Sequence, residues 1–171
     1  MTHLNIEFKA KASDIVSLEE KLLTLKPKYV GEDYQKDTYY NVDFGRLKLR
    51  EGNIENALIW YNRENVGGAK QSDILLYKHL PDEALKNILL KLHGIKIVVD
   101  KIRKIYFVDN VKFHFDRVEG LGTFIEVEAI DDSGNIGIEK LKDQCNFYIS
   151  FFDIKENEFM KKSYSDMLLD L

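Results

Sequence analysis

One pattern constrains this chain more than any other: an alternation of apolar and charged residues that recurs in segment after segment. It is clearest in Leu4-Asn5-Ile6-Glu7-Phe8-Lys9-Ala10-Lys11. Strand side chains point alternately to two faces, so Leu4, Ile6, Phe8 and Ala10 share one face and Asn5, Glu7, Lys9 and Lys11 the other. The same arrangement returns at Arg46-Leu47-Lys48-Leu49-Arg50-Glu51 and in residues 101–108, 111–118 and 123–130. Each such strand must bury its apolar face. The polar faces then either look at water from an open sheet or converge on one lumen.

Read in order, the rest of the chain supplies turns and helices between strands. Ser13 starts a helical pattern through Ile15, Leu18, Leu22 and Leu25, which Pro27 ends. Residues 34–42 are rich in strand formers, and the turn Asp43-Phe44-Gly45 leads into the charged hairpin strand at Arg46. After Gly52-Asn53, residues 57–65 read as the returning strand. The loop Val66-Gly67-Gly68-Ala69 lacks the Lys-Ser/Thr ending and following helix of a phosphate loop. Residues 73–79 form another strand, and Pro81 opens a helix that Gly94 caps. Residues 95–108 read as two strand-like runs around Asp100. Past residue 130 the pattern is helical: Ile138, Leu141, Cys145, Tyr148 and Phe152 share a face, and Ser163 caps a short last helix. This totals about eight short strands joined by turns or single helices, an antiparallel, barrel-like α+β domain over residues 1–171.

Composition narrows the function classes. A net charge of −4 gives no support to general nucleic-acid binding. The single cysteine, Cys145, excludes an internal disulfide framework and reads as a core residue. No apolar run approaches a membrane span and no signal-peptide pattern opens the chain, so the expected location is the cytoplasm, away from membranes.

The polar positions carry the chemistry. The acids are Glu7, Asp116, Glu126 and Glu128. The bases are Lys9, Lys48, Arg50, Arg63, Lys78, Lys101 and Arg103, with Arg46 and His114 nearby. Should the faces converge, bases outnumber acids, and a cationic lumen calls for a polyanion because unpaired buried charge is costly. A triphosphate suits such a set, since arginine forks and lysine ammoniums both engage its oxygens. Glu126 and Glu128 point the same way from one strand and, with Glu7, can share a hard divalent cation.

Together, the first strand, the Gly45–Glu51 hairpin, Lys101-x-Arg103, His114-Phe115-Asp116 and Glu126-x-Glu128 resemble the CYTH superfamily of triphosphate tunnel enzymes, most closely the class IV adenylyl cyclases. The resemblance runs from about Asn5 to Ser163-Tyr164-Ser165-Asp166. It implies an eight-stranded antiparallel barrel forming a tunnel, with flanking helices. It also implies Mg2+ (or Mn2+) on Glu7, Glu126 and Glu128 with Asp116 close by. ATP or another triphosphate would be held by Lys9, Lys48, Arg50, Arg63, Lys78, Lys101 and Arg103. Lys9, Arg63, Lys101, Arg103 and Asp116 would stand nearest the reaction, and the family implies a homodimer. Where its opening motif is Glu-x-Glu-x-Lys, this chain has Asn5-Ile6-Glu7-Phe8-Lys9, so one metal position offers an amide in place of a carboxylate. The implied reaction is conversion of ATP to cyclic AMP and pyrophosphate. Hydrolysis of inorganic, nucleoside or thiamine triphosphate, and binding of a phosphorylated ligand without turnover, are the alternatives. His114 is a candidate base only by location, since a strand histidine beside Phe113 and Phe115 is more often a hydrogen-bonded structural residue, and Trp60, Tyr61 and Tyr77 could stack on a nucleobase or pack between layers.

Overall fold

A computed structural model describes residues 2–62 and 68–171; Arg63 and the loop that follows it lie outside them. Eight strands close into an antiparallel barrel in the order β1-β5-β4-β3-β2-β6-β7-β8, with β8 returning to β1. They are β1 (Thr2–Lys11), β2 (Lys28–Tyr40), β3 (Arg46–Glu51), β4 (Ala57–Asn62), β5 (Lys70–Lys78), β6 (Ile95–Val108), β7 (Val111–Val118) and β8 (Gly122–Asp131). Helices α1 (Ile15–Leu23), α2 (Glu83–His93), α3 (Ile138–Phe151) and α4 (Tyr164–Leu169) flank it. The polar faces therefore converge, and the open-sheet alternative falls away.

The main apolar core lies outside the barrel. Ile6, Phe8 and Ala10 of β1, Phe113 and Phe115 of β7, and Ile125, Val127 and Ala129 of β8 point outward. They pack under Ile15 and Leu22 of α1 and Leu141, Cys145, Tyr148 and Phe152 of α3. Burying this surface against helices supplies the hydrophobic drive, which leaves the inner faces of the same strands available for charge. A smaller cluster seats Leu89 of α2 on Tyr40 and Leu49. A third group, which includes Ile59, Tyr61, Val99, Phe124 and Tyr164, brings α4 onto the barrel.

Several boundaries differ from the sequence reading. The first helix is capped by Asp14, whose Oδ1 accepts the Ser17 N–H at 3.1 Å, and not by Ser13. Strand β2 begins at Lys28, not Tyr34, because its first part pairs with the far end of β6 across a register shift between Tyr29 and Gly31. Residues 95–108 are one continuous strand, since Asp100 points outward beside Lys36 and does not interrupt pairing. The second helix starts at Glu83 with Asp82 as its cap. At α4, Ser163 and Asp166 form a reciprocal capping box, as its serine start suggested. Among the described residues, no helix is long and apolar enough to cross a membrane.

Candidate active site in the barrel lumen

Strand register assembles the lumen in rows. Directly opposite partners on an antiparallel pair sit side by side on one face. Across β1 and β8 these are Glu7 with Glu128 and Lys9 with Glu126; across β8 and β7, Glu128 with Lys112 and Glu126 with His114; across β7 and β6, Asp116 with Arg103. On the other side of the barrel, Asp37 of β2 sits opposite Arg50 of β3. These side chains surround a cavity of about 460 Å³ that Lys9, Lys48, Arg50, Lys78, Lys101 and Arg103 line together with Glu7, Glu126 and Glu128. Arg63 lies outside the described residues, and Lys78 stands exposed beside His79 and Leu80.

The β2–β3–β6 wall is organised by an acid that the sequence reading did not single out. Asp37 Oδ1 accepts Arg50 Nε at 2.8 Å, while Oδ2 accepts Lys48 Nζ at 2.8 Å, Lys101 Nζ at 2.9 Å and Arg50 Nη2 at 2.9 Å. Burial alone would raise the Asp37 carboxyl, but Arg50, Lys101 and Lys48 hold it well below the usual range. Burial pushes Lys101 down to about 7, with Asp37 opposing and Arg50 and Arg103 adding to the fall. A second unanticipated acid, Glu55, reaches in from the β3–β4 turn to accept Gln35 Nε2 and Arg50 Nη1, each at 3.1 Å, and to pair with Lys112. Asp33 pins that turn by accepting the Ile54 and Glu55 N–H groups, both at 2.9 Å. Gly52 permits the close approach, since a Cβ there would lie 2.5 Å from Asp33 Oδ1. The lumen is thus less cationic than expected, although bases still outnumber acids along it.

On the β7–β8–β1 wall, Arg103 forks onto Asp116 through Nε and Nη2 at 2.7 Å each, and Nη2 also reaches Glu126 Oε2 at 2.8 Å. Tyr164 of α4 donates to Asp116 Oδ2 at 2.6 Å, and its ring lies 3.7 Å beneath Lys9 Nζ. Both Asp116 oxygens thus serve Arg103 and the closing helix. Lys9 Nζ stands 3.4 Å from Glu126 Oε1. Although burial favours the neutral acid, Lys9, His114 and Arg103 hold the Glu126 carboxyl well below its ordinary range. Asn5 donates its amide to Glu7 Oε2 at 3.4 Å, so it faces Glu7 as a donor.

Among the described residues, a group that could hold a divalent cation is His114, Glu126 and Glu128, whose ligand atoms all lie within 4.8 Å of one another. Two carboxylates on one wall match what such an ion requires. Glu7, opposite Glu128, adds a third acid to the same row. Of the aromatics, Tyr61 lines the cavity and meets Tyr39, their hydroxyls 3.3 Å apart. Trp60 packs on Phe44 outside, and Tyr77 is exposed.

Comparison with known proteins bears on the fold and family. The CYTH domain family matches residues 3–164. A protein of Methanocaldococcus jannaschii, provisionally named an adenylate cyclase, is 27% identical over 96% of this chain and 98% of its own. A conserved protein of unassigned function from Pyrococcus furiosus superposes with a TM-score of 0.80 at 23% identity, over 95% of this chain and 98% of its own. An adenylyl cyclase-like protein of Hippeastrum, described as having a dominant triphosphatase activity, superposes with a TM-score of 0.65 at 14% identity, over 98% and 94%. With its closed eight-stranded barrel and a match spanning nearly its whole length, this chain belongs to the CYTH family.

Proposed function

We propose that the lumen binds a nucleoside triphosphate with a divalent cation and converts ATP to cyclic AMP and pyrophosphate. CYTH proteins act on triphosphate substrates and need a divalent metal. The observation that carries the reading is the division of one cavity into unlike walls. Lys48, Arg50 and Lys101 stand on one side, and Glu126, Glu128 and His114 on another. Ala57 and Ile59 of β4 with Ile74 and Leu76 of β5 form an apolar stretch suited to the nucleoside end. The relative provisionally named an adenylate cyclase, similar over its whole length, supports the same choice.

In the reaction, the ribose 3′-hydroxyl gives up its proton to solvent and its oxygen bonds to the α-phosphorus as the bond from that phosphorus to the bridging oxygen of pyrophosphate breaks. Lys48, Arg50, Lys101 and Arg103 bind the phosphate chain and neutralise the charge that builds on the leaving pyrophosphate. Asp37 and Asp116 orient those cations in advance, so little reorganisation accompanies binding. Glu7, Glu126 and Glu128 would hold the cation, which when bound supplies charge neutralisation and acidifies an oxygen near it. Lys78 gives a supporting phosphate contact, as does Arg63, which lies outside the described residues, and the protein acts as a cytoplasmic homodimer.

A second reading, hydrolysis at the terminal phosphorus, draws support from the triphosphatase activity described for the Hippeastrum relative. Incubation with ATP and Mg2+ or Mn2+, with tripolyphosphate in parallel and products resolved by phosphorus NMR, separates the two. Cyclic AMP with pyrophosphate is the expected outcome. Orthophosphate would establish hydrolysis, and binding without turnover would overturn both.

A further inference from the structure

We propose that His114 Nδ1 is itself a ligand, alongside Glu126 and Glu128, and that this nitrogen makes the site select a first-row transition ion over magnesium. The inference rests on the reading that the lumen takes a divalent cation, and it concerns which ion and through which atoms.

Three observations carry it. First, Nδ1 lies 3.3 Å from Glu126 Oε2 and 3.7 Å from Glu128 Oε1. Donor atoms bound about 2 Å from one ion lie roughly 3 Å apart, so modest contraction suffices. Second, the position is fixed by the fold: His114 is directly opposite Glu126 and only 1% exposed, and its ring borders the cavity. Third, Nε2 is buried with no hydrogen-bond partner among the described residues. A purely structural buried histidine ordinarily satisfies both nitrogens. Without a metal, Nδ1 donates to the Glu126 carboxylate, which only accepts; a bound ion would take that place as the ring proton moves to Nε2.

The donor set then decides the ion. Magnesium prefers an octahedral oxygen shell and retains water, whereas imidazole nitrogen favours transition metals. A nitrogen among the carboxylates therefore discriminates against magnesium. Arg103 now occupies Glu126 Oε2, but its fork onto Asp116 persists when that third contact lengthens.

Manganese(II) provides a direct spectroscopic probe. Pulsed electron paramagnetic resonance of the full chain with Mn2+ should show nitrogen-14 modulation from a coordinated imidazole. The modulation should survive His79→Gln and vanish in His114→Gln, and the preference for Mn2+ over Mg2+ in competition titrations should fall about 10-fold or more in the latter. Should His114→Gln fail to fold, replacing His3, His79 and His93 with glutamine leaves His114 as the only histidine, and the modulation must persist. Bound Mn2+ without nitrogen modulation, or modulation surviving His114→Gln, overturns the proposal while leaving the triphosphate reading intact. Failure to bind Mn2+ at all overturns both.

Discussion

The two charged walls of the lumen solve the same problem in opposite ways. On the β2–β3–β6 wall one acid, Asp37, gathers Lys48, Arg50 and Lys101, and every one of those contacts is 2.9 Å or shorter. That wall is internally paired but keeps a positive excess. On the β7–β8–β1 wall acids gather instead, with Glu7 opposite Glu128 and Glu126 beside His114. Buried atoms without a hydrogen-bond partner among the described residues remain there, including Asn5 Oδ1 and His114 Nε2. On the proposed function, the first wall is the anion grip, held in shape by its own counter-ion, and the second is the donor set for the cation. Buried ion pairs add little net stability, but removing one partner from them is costly, so the asymmetry can be broken one residue at a time.

The largest effect should come from Asp37→Ala, which takes the shared acid from buried Lys101 and Arg50 and half-buried Lys48, leaving only Arg50 with a second acid among the described residues, Glu55. It should lower unfolding free energy by about 3–5 kcal/mol in denaturant titrations. A loss within the scatter of surface substitutions would mean that Asp37 does not organise its wall. Glu128→Gln probes the other wall, where the side chain is about one-fifth exposed and its removal strands no fork. Metal-dependent turnover should fall roughly 10- to 100-fold while stability barely moves; unchanged turnover would remove Glu128 from the site.

Lys101 makes the comparison sensitive to pH. With its amine pushed down to about 7, it is increasingly neutral as pH rises above that value. A bound polyanion favours the charged form, so binding above pH 7 should take up a proton and weaken as pH rises further. Calorimetry of a non-hydrolysable ATP analogue in buffers of different ionisation heat reads that proton directly. The smallest effect is expected from Tyr164→Phe, which deletes the hydroxyl on Asp116 and should cost about 1 kcal/mol, measured by thermal unfolding.

Much of this architecture was legible in the sequence, for a physical reason. β1, β7 and β8 alternate cleanly because helices cover their outer faces, and so Glu7, Lys9, His114, Asp116, Glu126 and Glu128 could be placed on one side. Asp37 escaped notice because its neighbours Lys36 and Thr38 are not apolar, leaving no alternation to mark the inner face. Glu55 is on a turn, where side-chain period carries no information; only Asp33 and Gly52, brought close by the closed barrel, aim it inward. The sequence suggested Asn5 as a weaker metal donor. The structure turns its amide toward Glu7, a contact that depends on rotamers and that spacing alone could not reveal.

The central claim is that the cations Asp37 holds are those that grip a triphosphate. The most direct test compares the rise in melting temperature on adding tripolyphosphate, in metal-free buffer, for the wild-type chain, Asp37→Ala and the milder Asp37→Asn. A ligand that binds only the folded state raises stability according to its affinity. Asp37 both orients these cations and competes with the ligand for them; relief of that competition should outweigh the lost orientation, so both variants should gain more than wild type, recovering part of what they lost. Equal or smaller gains in the variants would contradict the claim and place the anion grip elsewhere in the barrel.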